Sequence, residues 1–139
     1  MGHRQNTIFA LTNLGGLRVA TGEAKQAEVF LEEALSLARE IGQPGFITAI
    51  LLEYGNLDRK LKDWGKAEKD YQEALNFAQK LGAQASIGQA LFGLARVSEA
   101  QGHFSDAKRL GQESMVAYQK IGHFKGGQVR QWLDRLTSN

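Results

Sequence analysis

Apolar residues recur three and four positions apart along almost the whole chain, and short glycine-bearing breaks interrupt this rhythm at regular intervals. Such spacing lays one apolar stripe along a helix, and the stretches between breaks are too long for strands. Leu11, Leu14 and Leu17 form a first stripe, and Ala27, Phe30, Leu31, Ala34, Leu35 and Ala38 form a second. Between them Thr21-Gly22-Glu23 reads as a turn. Glycine tolerates the left-handed conformation that ends a helix, and Thr21 or Glu23 can accept from the free amides of the next one. Equivalent breaks fall at Lys62-Asp63 and at Gly102-His103-Phe104-Ser105, while Gly42, Gly82 and Gly122 stop each second helix. The pattern predicts an all-α chain of seven helices, over roughly residues 6–20, 24–41, 45–61, 64–81, 84–101, 104–121 and 125–137.

The helices fall into a repeat. Gly2, Gly42, Gly82 and Gly122 recur every 40 residues, and Leu11, Leu51 and Leu91, Ala27, Ala67 and Ala107, and Glu33, Glu73 and Glu113 keep the same register. A lone helix pair cannot bury both faces, so the core must form between neighbouring pairs. A single domain over 1–139 is expected, with repeats at about 3–42, 43–82 and 83–122. Gly126-Gly127 reads as an interruption before a last amphipathic segment, Gln128 to Leu136, that caps the stack. Because Gly2 keeps the register of the repeat-ending glycines, the chain is expected to start at a repeat boundary, as a fragment of a larger protein. A cloning remnant at Met1-Gly2-His3 is the alternative.

These residues resemble the tetratricopeptide repeat: a large apolar residue, a leucine-glycine pair, a Gly-Asp-aromatic turn, then alanines on the second helix. Leu11, Leu14-Gly15, Gly22-Glu23-Ala24, Ala27 and Ala34 fill that pattern in the first unit. Leu51, Tyr54-Gly55, Asp63-Trp64, Ala67, Tyr71 and Ala74 fill it in the second. Leu91, Leu94-Ala95, Gly102-His103-Phe104, Ala107 and Ser114 fill it in the third, where Gly111 weakens the later aromatic position. The small residues Gly15, Gly55, Ala95, Ala27, Ala67 and Ala107 are expected where two helices approach closely, since a leucine there would overpack. The 40-residue unit exceeds the usual repeat and resembles the longer arrays of kinesin light chains, cell-polarity adaptors and the sensor arms of bacterial signal-transduction ATPases and transcription activators. The resemblance implies a right-handed solenoid with a C-terminal capping helix.

Composition narrows the function. The 17 basic and 15 acidic residues balance too closely to call for a nucleic-acid partner. Cysteine is absent, which rules out disulfides and thiolate metal sites; a cytoplasmic setting is expected, with no membrane segment and no cofactor. His3, His103 and His123 show no metal-ligand spacing and read as surface residues, and Trp64 and Trp132 read as packing residues. Arg59, Lys60, Lys62, Lys66 and Lys69, interspersed with Asp58, Asp63, Glu68 and Asp70, read as a solvated, ion-paired surface. No nucleophile elbow or phosphate-cradling loop is present, so an enzyme is not expected.

The resemblance implies a protein or peptide partner in a concave groove lined by first helices. Carried onto this chain, the groove comprises Phe9, Thr12, Asn13 and Gly16, then Ala49, Glu53, Asn56 and Lys60, then Gln89, Phe92, Arg96 and Glu99. Asn56 and Arg96 hold one repeat position, from which an amide or guanidinium can bond a peptide backbone or clasp a carboxylate. Only Asn56 matches the family's chaperone-tail set, so that ligand is not expected. A homo-oligomer formed through repeat ends is the alternative, with Ile8, Phe9 and Leu11 lacking their natural cover.

Overall fold

The computed structural model describes residues 2–138; Met1, the first residue of the Met1-Gly2-His3 start, lies outside them. The described residues form seven helices: α1 (Gly2–Thr21), α2 (Ala24–Ile41), α3 (Pro44–Lys60), α4 (Trp64–Leu81), α5 (Gln84–Ala100), α6 (Phe104–Lys120) and α7 (Lys125–Thr137). Each helix packs on its successor, and α3 also touches α1 and α5, so first helices line one side of the stack. Three apolar layers follow one another. The first joins α1, α2 and α3 through Ile8, Leu11, Leu31 and Ile50; the second joins α3, α4 and α5 around Tyr71; the third joins α5, α6 and α7 around Tyr118, Val129 and Trp132. Each layer lies between repeats, as the inability of a lone pair to bury both faces requires.

The turns carry out the expected chemistry with one substitution. Gly42 and Gly82 end α2 and α4 at φ of +72° and +67°. In the turns within repeats Gly22 and Gly102 both stand at +81°, but the same place in the second repeat is held by Lys62 at +61°. That left-handed lysine is strained relative to glycine. Asp63 compensates in part by accepting from the Lys66 amide at 3.3 Å, whereas Glu23 makes no cap bond and pairs with Arg18 at 2.7 Å instead.

Close approach explains the small residues. A Cβ added at Gly15 would lie 2.6 Å from Leu31, and one at Gly55 would lie 2.6 Å from the Tyr71 ring. The 31, 71, 111 position holds Leu, Tyr and Gly in turn. At Gly111 the missing bulk is supplied from α7, for a Cβ there would meet Trp132 at 2.6 Å and Leu133 at 2.9 Å. Thus Gly111 does not weaken the third repeat; it admits the cap.

Four expectations are corrected. α1 starts at Gly2, about a turn earlier than expected, and Gly2 is helical, unlike the left-handed Gly42, Gly82 and Gly122 with which it keeps register. Ile8 and Leu11 do not lack cover, being buried against α2 and α3; Phe9 and Leu17 are the large apolar side chains of α1 that remain more than half exposed. Gly126 and Gly127 lie inside the first turn of α7, where a Cβ added at Gly126 would lie 3.5 Å from Tyr118. His123 is no plain surface residue: its Nδ1 accepts from the Lys125 amide at 3.1 Å and its ring stacks on Phe124.

Candidate functional site

The groove is built on α1, α3 and α5 and closed at one end by α7. At its α1 end Asn13 is exposed, Thr12 turns its hydroxyl back onto the Ile8 carbonyl at 2.7 Å, and Phe9 meets Phe46 edge to face at 5.3 Å. Gly16 has no space for a side chain, because the Glu53 carboxylate occupies it. Ala49 is exposed and Gln89 half-buried.

The middle of the groove is a connected polar network. The Asn56 amide donates to Glu53 at 2.8 Å, the Tyr71 hydroxyl donates to the Asn56 carbonyl oxygen, and Arg59 Nε donates to the Tyr71 hydroxyl at 3.3 Å. Desolvation raises the Glu53 carboxyl above its ordinary range, against the opposing pull of the Asn56 hydrogen bond and the Lys125 charge. Asn56 is therefore largely engaged, and presents one remaining amide hydrogen. Lys60 is also committed: its Nζ donates to the Ala20 carbonyl at 3.2 Å, joining α3 to the C-terminal end of α1, where a cation is favoured. It holds neighbouring repeats together rather than standing free for a partner.

The α7 end differs. Phe92 meets Trp132 edge to face at 5.4 Å, Arg96 lies over the Phe92 ring at 5.6 Å, and Trp132 Nε1 donates to Glu99 at 3.1 Å. Arg96, Glu99, Phe104, Trp132, Arg135 and Leu136 line a cavity of about 690 Å³ that opens to solvent. Desolvation lowers the Arg96 guanidinium from its ordinary range, and the charges of Arg59 and Arg135 lower it further. Among the described residues none of these three arginines makes an ion pair. Arg59 and Arg135 thus add their positive charge to that of Arg96, which lies on the Phe92 ring, and the Glu99 carboxylate opposes them in part.

Arg59, Tyr71, Trp132 and Arg135 belong to this surface although sequence reasoning placed none of them there. Arg59 was grouped with a solvated charge cluster, and that grouping is corrected: Asp58 is 3% exposed and Arg59 and Asp70 are half-buried. A signal was available, since Asp58 follows Leu51 and Gly55 at the i, i+4, i+7 spacing of the packed face of α3. Among the described residues no group of three or more His, Asp or Glu could hold a metal, and no helix is long and apolar enough to cross a membrane.

Stacked helix pairs with a groove along their first helices define a helical-repeat recognition fold. The chain belongs to the tetratricopeptide repeat family, which it matches over residues 46–120. Repeats of this family generally mediate protein–protein interaction, and the fold is typically non-catalytic. Among solved structures, the chain is similar to BtubC (BKLC) from P. vanneervenii, with a TM-score of 0.77 and 22% sequence identity over 91% of this chain and 52% of that one. It spans about half the length of that relative. No curated protein matches it.

Proposed function

We propose that the chain is a non-catalytic module that holds an acidic protein or peptide segment in the groove, as the sensing or scaffolding part of a larger regulatory protein. The observation that carries this reading is the cavity at Trp132, where two arginines without an ion pair, Arg96 and Arg135, face one carboxylate, Glu99. Carboxylates of the ligand would pair with Arg96 and Arg135 through two-pronged hydrogen bonds, and an apolar side chain between them would lie against Phe104 and Leu136. Arg96 is already stacked on Phe92, so little side-chain freedom is lost on binding.

The test is fluorescence anisotropy with labelled peptides that alternate Glu with Phe or Leu, and with Lys in place of Glu as controls. The acidic set should bind with strong salt dependence, and Arg96→Ala should weaken it about tenfold or more, matching loss of a charge-assisted bond of about 1.5–3 kcal/mol. Equal binding of both sets, or no effect of Arg96→Ala, would count against the reading. The regulator assignment predicts an ATPase or DNA-binding segment encoded in the same gene. Self-association is the second reading, favoured by Phe9 at 58% and Leu17 at 53% exposure on α1. A mass that stays monomeric in light scattering over a wide concentration range would remove it.

A further inference from the structure

The first helix pair has an apolar flank that none of the described residues covers. In α3, Ile50, Tyr54 and Leu57 pack against the preceding pair, and in α5 Ala90, Leu94 and Val97 do the same. The same repeat positions of α1 hold Ala10, Leu14 and Leu17, and all three are exposed. The flank continues onto α2. Two repeats on, Arg109, Leu110 and Glu113 of α6 face α4 across clefts closed by Glu68, Gln72 and Gln79. Their counterparts on α2 are Val29, Phe30 and Glu33. Val29, 62% exposed, therefore stands at the position that Lys69 and Arg109 hold beside a neighbouring helix. An uncovered flank more apolar than its covered equivalents is the reverse of what a surface left to water requires.

We propose that this flank is the interface of a two-fold dimer, in which α1 of one chain lies antiparallel on α2 of a second copy. The proposal rests on the self-association reading and gives it a face and a geometry. Charge selects the occupant. α1 carries Arg4 and Arg18 and no carboxylate, whereas α2 carries four glutamates against Lys25 and Arg39, with Glu33 and Glu40 on the flank. Pairing α1 with α1 sets cations against cations, and pairing α2 with α2 sets carboxylates against carboxylates; α1 on α2 brings opposite charges together. Within one chain Arg4 reaches Glu40 at 3.7 Å and Arg18 reaches Glu23 at 2.7 Å, so the ends of the two helices are level. A two-fold axis parallel to the helices and between them preserves those levels. It brings Leu17 opposite Val29 and Phe30 of the second copy, and Arg4 level with that copy's Glu40.

The far end of the stack offers no match for this flank. There α7 turns Arg130, Gln131 and Asp134 to solvent, so head-to-tail stacking would set apolar side chains on a charged face. The product is a closed pair and not a filament. Phe9 takes no part, since it meets Phe46 at the groove. The groove stripe of α1, Phe9, Asn13 and Gly16, is offset from the flank stripe by one residue, about 100° around the helix, and pairing leaves the cavity at Trp132 free.

Light scattering of the whole chain over a concentration series should approach twice the chain mass of 15.3 kDa at the upper end. Leu17→Glu meets the carboxylates of α2 and Val29→Lys the cations of α1, each twice per dimer by symmetry, so each alone should weaken pairing by about a hundredfold or more. Both side chains are more than half exposed in the single chain, so neither change threatens the fold. Mixed in equal amounts the two variants should pair again, because one contact then joins the two new charges and the other is native. Phe9→Ser should leave the dimer intact. A single-chain mass at every concentration would overturn the proposal together with the self-association reading, and would leave the flank to a further helix pair. A dimer that survives Leu17→Glu and Val29→Lys but not Phe9→Ser would overturn the flank and keep self-association. Two variants that are each monomeric and fail to pair on mixing would overturn the placing of α1 on α2.

Discussion

Gly55→Ala places a methyl group where α3 meets α4, and the structure decides the sign of its effect. Replacing a glycine inside a helix by alanine ordinarily gains about 0.8–1 kcal/mol of helix propensity. Here the new Cβ would lie 2.6 Å from Tyr71 Cε1, well inside contact distance. The ring is fully buried, backed by Gly93 on the other side and tied at its hydroxyl to Asn56 and Arg59, so it cannot swing away. Overpacking of this kind costs about 1–3 kcal/mol, which leaves a net loss of up to about 2 kcal/mol once propensity is deducted. With a urea dependence of about 2 kcal/mol per molar, the unfolding midpoint should fall by up to about 1 M. Two controls isolate the cause. Gly65→Ala, in the first turn of α4 with open space around it, should be neutral or slightly stabilising. In a Tyr71→Ala background Gly55→Ala should show only its propensity gain, giving a coupling of about 1–3 kcal/mol in a double-mutant cycle. If Gly55→Ala stabilises the chain as much as Gly65→Ala does, the packing argument fails.

Three further changes probe the turns and the cap. Lys62→Gly relieves a left-handed lysine at the position held by Gly22 and Gly102, and should raise the urea midpoint by an amount equivalent to about 0.5–1 kcal/mol; no gain would mean that the lysine is not strained. Trp132→Ala empties the space over Gly111 and should cost about 3–5 kcal/mol, read by hydrogen exchange as rapid opening of α7 while α3 and α4 stay protected. Trp132→Phe, which keeps one aromatic ring but loses the bond to Glu99 and part of the buried volume, should cost less, about 1–2 kcal/mol; equal effects of the two changes would show that the ring does not hold the cap.

The fate of the expected groove residues shows where reading along the chain stops. Phe92, Arg96 and Glu99 lie together around Trp132, while Asn56, at the repeat position of Arg96, is bonded to Glu53 and Tyr71. Lys60 is spent on the Ala20 carbonyl of the preceding repeat, and the open end of Gly16 is filled by Glu53. Asp58 and Asp70, read as solvated charges among lysines, prove to be buried and half-buried. The burial of Asp58 was legible in its spacing on α3, whereas the fates of Lys60 and Gly16 do not follow from the helix on which each residue lies.

By itself the sequence determined whatever is local or periodic. Apolar spacing marked the seven helices within a few residues, glycines marked the left-handed turns, and small residues at fixed places marked the close contacts, because each depends on backbone conformation or on volume within a helix pair. The tertiary structure alone decided what depends on the angle and offset between successive pairs: that Trp132 fills the space above Gly111, that Tyr71 reaches Asn56 and Arg59, and that Arg96 and Arg135 line one cavity with Glu99. The physical reason is that stacking geometry is set by the sum of many side-chain contacts across the interfaces, and a rotation of a few degrees between pairs changes which distant residues touch.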